Sequence, residues 1–450
     1  MKKQISLILA IALLLTLLSG CSGKTQTAET TAAAGTTAAA ETTAAADTTA
    51  GTTAAAASGE KVTLKFTGWR TEDQDAINKM NEKFTAENPN IEVVYEPVAA
   101  TEYDTYLQTA LANGTAADLI MMRSFSGGKT VYSGGKITTL TTDSVPNLKN
   151  YPDSAVSAWA SDGKSFAVPV GMTVEGVHYN KDIFDKCGIT KTPDTVKELL
   201  DDCKLIKDKG YLPIAGGVAE PWYVSEEITS SILMATIGSS QWVKDLYAKK
   251  LDFTDAKYVQ MLQTLQDLEQ YYPEFYDGVG YEDCQQLFVT GQAAMYMSGS
   301  FELTYLTTTN PDLKLGCFAF PGQDAAPTAV NFTAAVGVGG YSGTKYPEQV
   351  LTYLNWLASD EGGGAYANGV LGFFSPNPTA PAPESEIAQQ WSALRDGREA
   401  IHLMGYETMT ESAPDYSTAI GDTALKMVTE KWTAAQAADY MQQQMSWFFK

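Results

Sequence analysis

The residues best equipped for chemistry lie where predicted strands end. Trp69-Arg70-Thr71-Glu72, Arg123-Ser124-Phe125, Glu220-Pro221-Trp222 and Ser298-Gly299-Ser300-Phe301 each set an aromatic ring beside a charged group or a hydroxyl. In open α/β sheets, ligands sit outside the carboxyl ends of strands, so these loops are candidates for a binding site. The motifs of other chemistries fail on spacing. His178 and His402 lie 224 positions apart, which excludes a zinc motif of closely spaced histidines. Gly128-Lys129-Thr130 and Gly163-Lys164-Ser165 end like phosphate-binding loops, but Arg123 and Ala158 stand where the leading glycine belongs. Gly337-x-Gly339 begins like a dinucleotide loop and carries Ser342 at the sixth position. No Gly-x-Ser-x-Gly elbow occurs. No cofactor and no metal are expected.

The elements that must position these loops follow from periodicity. Val62–Phe66 reads as a strand, the segment with Ala76, Ile77, Met80 and Phe84 as an amphipathic helix, and Ile91–Tyr95 as the next strand, a βαβ unit. A second helix carries Tyr106, Leu107, Ala110 and Leu111, ends at Asn113-Gly114, and leads to a strand at Asp118–Met122. This alternation predicts a largely parallel sheet. Phe166–Pro169 and Val177–Asn180 read as two short extended pieces, and the glycines of Gly171–Gly176 predict a connection free to change its backbone angles. Thr195 with Glu198 forms a capping box for a helix that Gly210 terminates. Pro213–Ala215 is a buried strand opening towards Glu220 and Trp222. Asp255 caps a helix carrying Val259, Leu262, Leu265 and Leu268, Asp283–Thr290 is another, and Ala293–Met297 is a strand. Residues 383–450 read as helices joined by short loops.

The chain has 450 residues, enough for a large core, and 53 acidic against 31 basic side chains give a net charge of −22. Such a balance opposes a phosphate backbone, so nucleic acid is not an expected partner. Lys2 and Lys3 precede an apolar run, Ile5–Leu18, shorter than a membrane span and shaped like a secretory signal. It ends in Leu18-Ser19-Gly20-Cys21, which resembles the lipobox of bacterial lipoproteins. That resemblance implies a signal peptide at 1–20, lipid on Cys21, and anchoring to the outer face of a bacterial cell membrane. Residues 21–60 are mostly Thr and Ala, with a six-residue repeat beginning at Glu29, Gly35 and Glu41. They cannot build a core and predict a disordered tether of about 35 Å rms reach. Cys187, Cys203, Cys284 and Cys317 allow three disulfide pairings, and Cys203 falls on the apolar face of its helix.

Three strings resemble, in order and spacing, the extracellular solute-binding proteins of ABC importers that include maltose- and multiple-sugar-binding proteins. They are Phe166–Phe184, Gly291–Phe301, and Gly337–Tyr341 through Tyr353–Ala358. The resemblance implies a two-lobed, hinge-linked α/β fold of the type II periplasmic-binding-protein kind. Its lobes would be 61–170 plus 335–371 and 177–326 plus 378–450, with crossings near 170–177, 326–335 and 371–378. It further implies that a monomer holds a sugar, an oligosaccharide by expectation, between the lobes and delivers it to membrane permease subunits without transforming it. Carried over residue by residue, the sugar contacts would be Trp69, Arg70 and Glu72, Ser124 and Phe125, and Glu220 and Trp222. Phe301 stands where the family usually has Trp, and Glu175 lies in the hinge segment where relatives often carry a carboxylate.

These residue types suit a pyranose, whose C–H face an aromatic ring can cover and whose hydroxyl rim needs donors and acceptors. Other roles fit some of them: an interior ring for Trp222, a helix-start cap for Phe301, a hinge salt bridge for Glu175. The rival class is a surface glycoside hydrolase, which needs aromatics and two carboxylates about 5–10 Å apart. Turnover separates the two, since a hydrolase creates new reducing ends and a binding protein does not. A sugar sensor or adhesin on the same fold is a third reading.

Overall fold

A computed structural model describes residues 61–450; the signal, Cys21 and the tether lie outside the described residues. The strands are β1 (Val62–Thr67), β2 (Ile91–Tyr95), β3 (Leu119–Met122), β4 (Ala160–Ser161), β5 (Lys164–Ser165), β6 (Val168–Asn180), β7 (Leu212–Ala215), β8 (Ala293–Gly299), β9 (Leu315–Phe318), β10 (Ala329–Gly340) and β11 (Glu399–Ile401). The short β4 and β5 form a separate two-stranded ribbon, with a single bridge from Ser165 to Leu140. The rest form one mixed sheet in the order β2-β1-β3-β10-β6-β8-β7, with β9 on β6 and β11 on β10.

The βαβ expectation holds at the start, where β2 and β3 both lie parallel to β1. The expectation of a largely parallel sheet does not extend to the middle. β10 runs antiparallel to both β3 and β6, and β6 antiparallel to β8 and β9. The chain reaches these central strands through long excursions and not through simple crossover helices, so nothing forces a parallel direction. β6 and β10 each serve two halves of the sheet. Val168–Val174 pairs with β10, whereas Glu175–Tyr179 pairs with β8; Gly337–Gly340 pairs with β3, whereas Ala329–Asn331 pairs with β11.

β6 also corrects the reading of Phe166–Asn180. One unbroken strand replaces the two short pieces, and neither Gly171 nor Gly176 adopts a positive φ. Their role is close approach. A Cβ on Gly171 would come within 2.6 Å of the Phe373 ring, and one on Gly176 within 2.9 Å of the Phe318 carbonyl and 3.2 Å of Trp391. Phe374, from a third segment, pairs with Met172 across the same stretch.

Most helices pack on their predicted apolar faces; in Ala100–Asn113, however, Tyr106 is exposed, and Tyr103 is buried with Leu107, Ala110 and Leu111. Gln74–Glu87 buries Ile77, Met80 and Phe84, and these join Phe66, Tyr95, Val336, Tyr353, Trp356 and Phe373 in one core. Val196–Asp208 begins with the expected Thr195/Glu198 capping box and buries Leu199, Cys203 and Ile206 in a second, larger core with Ile214, Leu265, Phe288, Tyr296 and Trp391. Helices Glu386–Ala393, Tyr416–Thr429 and Ala434–Gln444 cover about half of the carboxyl-terminal region; the expected short loop fails between the first two, where residues 394–415 form a long connection that carries β11. The four cysteines of the described region are free. Among the described residues, no helix is long and apolar enough to cross a membrane.

Candidate functional site

The loop after β1 meets the segment after β8 at the junction of the two sheet halves. Arg70 is the link: its Nε donates to Asp73 Oδ2 at 2.6 Å, one Nη to Glu72 Oε1 at 2.8 Å, and the other to the Phe301 carbonyl at 2.9 Å. The guanidinium also lies 5.5 Å from the Phe301 ring centroid and 5.1 Å from that of Phe373. Every terminal nitrogen of Arg70 is thus engaged within the protein. Burial pushes the Asp73 carboxyl up, opposed by the adjacent Arg70.

Trp69 is partly buried, with the Arg123 guanidinium 4.6 Å from its ring centroid and Tyr103 at 5.5 Å. Arg123 is in turn held by Asp104, Nε to Oδ1 at 3.0 Å. Ser124 is partly exposed and Phe125 is buried, its ring 6.2 Å from His402. Phe125 adopts φ of +51°, a conformation costly for a bulky residue and held here by its N–H on the Ala158 carbonyl at 2.7 Å.

On the opposite side, Trp222 donates its indole N–H to Glu220 Oε2 at 2.7 Å and packs edge-on against Tyr281 at 4.8 Å. Glu220 Oε1 accepts from the Tyr281 backbone N–H at 3.2 Å, so this carboxylate orients the ring. Trp222 is partly exposed, which separates it from the fully buried Tyr223 beside it. The expected loop at 220–222 is instead the start of a helix, with Pro221 at its first position. That helix passes through a π-helical turn, Val224–Ile228, in which the Thr229 N–H reaches the Val224 carbonyl, before continuing as Thr229–Ile237. Such turns often mark functional sites.

The π-helical turn carries Glu226 and Glu227. Tyr406 donates its hydroxyl to Glu226 Oε1, and Arg123 of the first half lies close enough to favour the Glu226 charge, although burial pushes that carboxyl up. Glu227 meets Glu175, side chain to side chain. Glu175 accepts from Thr173 Oγ1 at 2.9 Å, and burial pushes it up to about 7; burial and the neighbouring Glu175 push Glu227 up as well. Glu302, also raised by burial, accepts from Gln285 at 2.8 Å, Tyr296 at 2.8 Å and Ser298 at 3.2 Å. No group of His, Cys, Asp or Glu suited to a metal ion exists among the described residues.

The structure therefore brings Trp69, Arg70, Glu72, Phe301 and Glu175 to one junction. It sets Ser124 and Phe125 on its first-half side and Glu220 and Trp222 on its second. Sequence reasoning missed Asp73, Glu226, Glu227, Tyr281, Glu302 and Tyr406. Arg123 lay within a nominated loop, and Asp73 was legible as the i,i+3 partner of Arg70; the Glu226–Tyr406 pair joins positions 180 apart and had no local signal.

Comparison with known proteins fits this arrangement. Residues 67–364 match the family of bacterial extracellular solute-binding proteins. A multiple sugar-binding protein of Streptococcus mutans is 26% identical over 278 residues, covering 60% of this chain and 64% of that protein's length. An uncharacterized ABC transporter extracellular-binding protein of Pyrococcus horikoshii is 25% identical over 432 residues, covering 94% and 91%. A solved structure of a chitin oligosaccharide binding protein superposes with a TM-score of 0.71 at 20% identity, covering 87% of this chain and 100% of that one. This chain belongs to the bacterial extracellular solute-binding proteins, a family that binds its ligand and does not transform it.

Proposed function

We propose that this protein captures a carbohydrate, an oligosaccharide, in a cleft between two lobes and delivers it to the membrane permease of an ABC importer. The lobes are 61–170 plus 335–371 and 177–326 plus 378–450, joined by crossings near 170–177, 326–335 and 371–378. The observation that carries the reading is the meeting of aromatic rings and carboxylates from both sheet halves at one junction, where Arg70 and Glu72 of the first half approach Phe301 and Tyr281 of the second and Trp222 packs on Tyr281. Rings cover the C–H faces of sugar units, and the carboxylates, Ser124 and Tyr406 take their hydroxyls. Arg70 and Glu220 position neighbours: Arg70 braces the loop against Phe301, and Glu220 fixes the Trp222 ring. The named ligands of the Streptococcus and chitin-oligosaccharide relatives support a carbohydrate. Lipid on Cys21 and the 21–60 tether would keep a monomer at the outer membrane face.

Calorimetric titration of residues 61–450 with neutral, acetylated and free-amine oligosaccharides tests the proposal. Saturable one-to-one binding is expected, with the sugar recovered intact and no new reducing ends. Failure of every oligosaccharide to bind would refute it, and release of reducing ends would move the protein to the hydrolase class.

A further inference from the structure

The floor of the junction holds more acceptors than donors. Asn331 Oδ1 has no hydrogen-bond partner, and Glu175 Oε2 and Glu227 Oε2 have none beyond the contact of the two carboxyls with each other; the three residues are only 1%, 4% and 3% exposed. They share one place. Glu175 touches Glu227, and Asn331 donates through Nδ2 to Ser230 Oγ at 3.2 Å, one turn beyond Glu227. The ladder between β10 and β6 ends at the pair Phe332 and Val174, the immediate chain neighbours of Asn331 and Glu175. Gly299 lies directly across from Glu175, and its missing side chain makes room for the Glu175 carboxyl and the Phe301 ring. A Cβ there would fall on Glu175 Oε2 and come within 2.5 Å of the Phe301 ring.

We propose that this floor is an ammonium site: the bound carbohydrate carries a free amino group whose three N–H donors go to Glu175, Glu227 and Asn331. The inference rests on the carbohydrate reading above and narrows it to cationic, amino-bearing sugars. A neutral hydroxyl brings one donor and no charge, whereas an ammonium brings three donors and the missing positive charge. No side chain supplies that charge. Arg70 is held by Glu72 and Asp73, and Arg123 by Asp104. Of the other groups near the floor, Glu226 and Glu302 are carboxyls, Tyr406 is already bonded to Glu226, and burial disfavours the charged form of both histidines, pushing His402 down and His178 to about 4. In the absence of ligand, one proton between Glu175 and Glu227 relieves their repulsion, and an arriving ammonium displaces it. A net charge of −22 favours the encounter.

The test is calorimetry on the wild-type protein near pH 6, where a sugar amine is charged. The probes are glucosamine oligomers, N-acetylglucosamine oligomers and glucose oligomers of equal length, and a linear triamine. The free-amine oligomer should bind about ten-fold more tightly than its acetylated twin, with a heat that varies with buffer ionisation because a proton is released. Glu227→Gln should reduce this preference several-fold, and Glu226→Gln, at a partly exposed position, provides a second variant less exposed to misfolding. Acetylated or neutral oligomers binding as tightly as the amine would overturn the inference and leave the proposed function standing. Binding of the triamine and of no sugar would uphold the ammonium site and overturn the carbohydrate reading. Absence of binding by all four probes would overturn both.

Discussion

Without a ligand, burial and mutual proximity oppose ionisation of both Glu175 and Glu227, and this links stability to pH. Burial holds Glu175 up to about 7, against an ordinary value of 4.5, and raises Glu227 too. The folded protein therefore keeps a proton that the unfolded chain releases earlier. This stabilisation is complete below about pH 4.5 and lost as pH rises through about 7. The ligand-free melting temperature should fall between about pH 5 and pH 8, by the equivalent of on the order of 2 kcal/mol from this pair. Glu227→Gln should flatten the fall, and a flat wild-type profile would show the pair to be hydrated. Trp222, partly exposed and steered by Glu220, should behave as a contact: Trp222→Ala is expected to weaken oligosaccharide binding about ten-fold or more. A variant that binds normally but melts far lower would return the ring to the core. At this scale the sequence was legible only where chemistry sat at a strand end. Trp69 and Trp222 stood out by type and place. Glu226 and Glu227 carried no signal in the sequence, because a carboxylate is marked as buried only by partners distant in the chain.

Elements were legible in proportion to how local their causes are. The helix at 74–87 and the capping box at Thr195 follow from side chains three or four positions apart. β6 is different: its apolar and polar faces are both covered, so period-2 alternation disappears and its glycines look like punctuation. Gly176→Ala separates the two explanations of those glycines. If conformational freedom were its role, alanine would stabilise the strand by about 0.4–1 kcal/mol through the unfolded state. Since a Cβ there meets a backbone carbonyl that cannot swing away, thermal unfolding should instead show a loss of about 1–3 kcal/mol. An unchanged or higher melting temperature would restore the flexible-connection reading. The π-helical turn at Val224–Ile228 was not legible, because no residue type signals one added residue in a turn.

For the molecule as a whole, ring and charge contacts reach across the junction, Arg70 to Phe301 and Phe125 to His402, so a ligand bridging both sides can favour a closed form. Small-angle scattering is expected to give a smaller radius of gyration with a saturating ligand than without, and an unchanged radius would indicate a static site. The sheet order also governs when the chain can fold. β3 pairs with β1 on one side but finds its second neighbour only in β10, with Ile120 paired to Gly339, and the first core needs Val336, Tyr353, Trp356 and Phe373. A nascent chain therefore carries Phe66 and Phe84 without a finished core until most of the polypeptide has been made. Residues 61–325 alone should be cut by protease in the first sheet half at rates close to those of an unfolded chain. For an extracellular protein, this late closure keeps the leading part threadable while it crosses the membrane, so the topology that builds the junction also delays its assembly until the chain is outside.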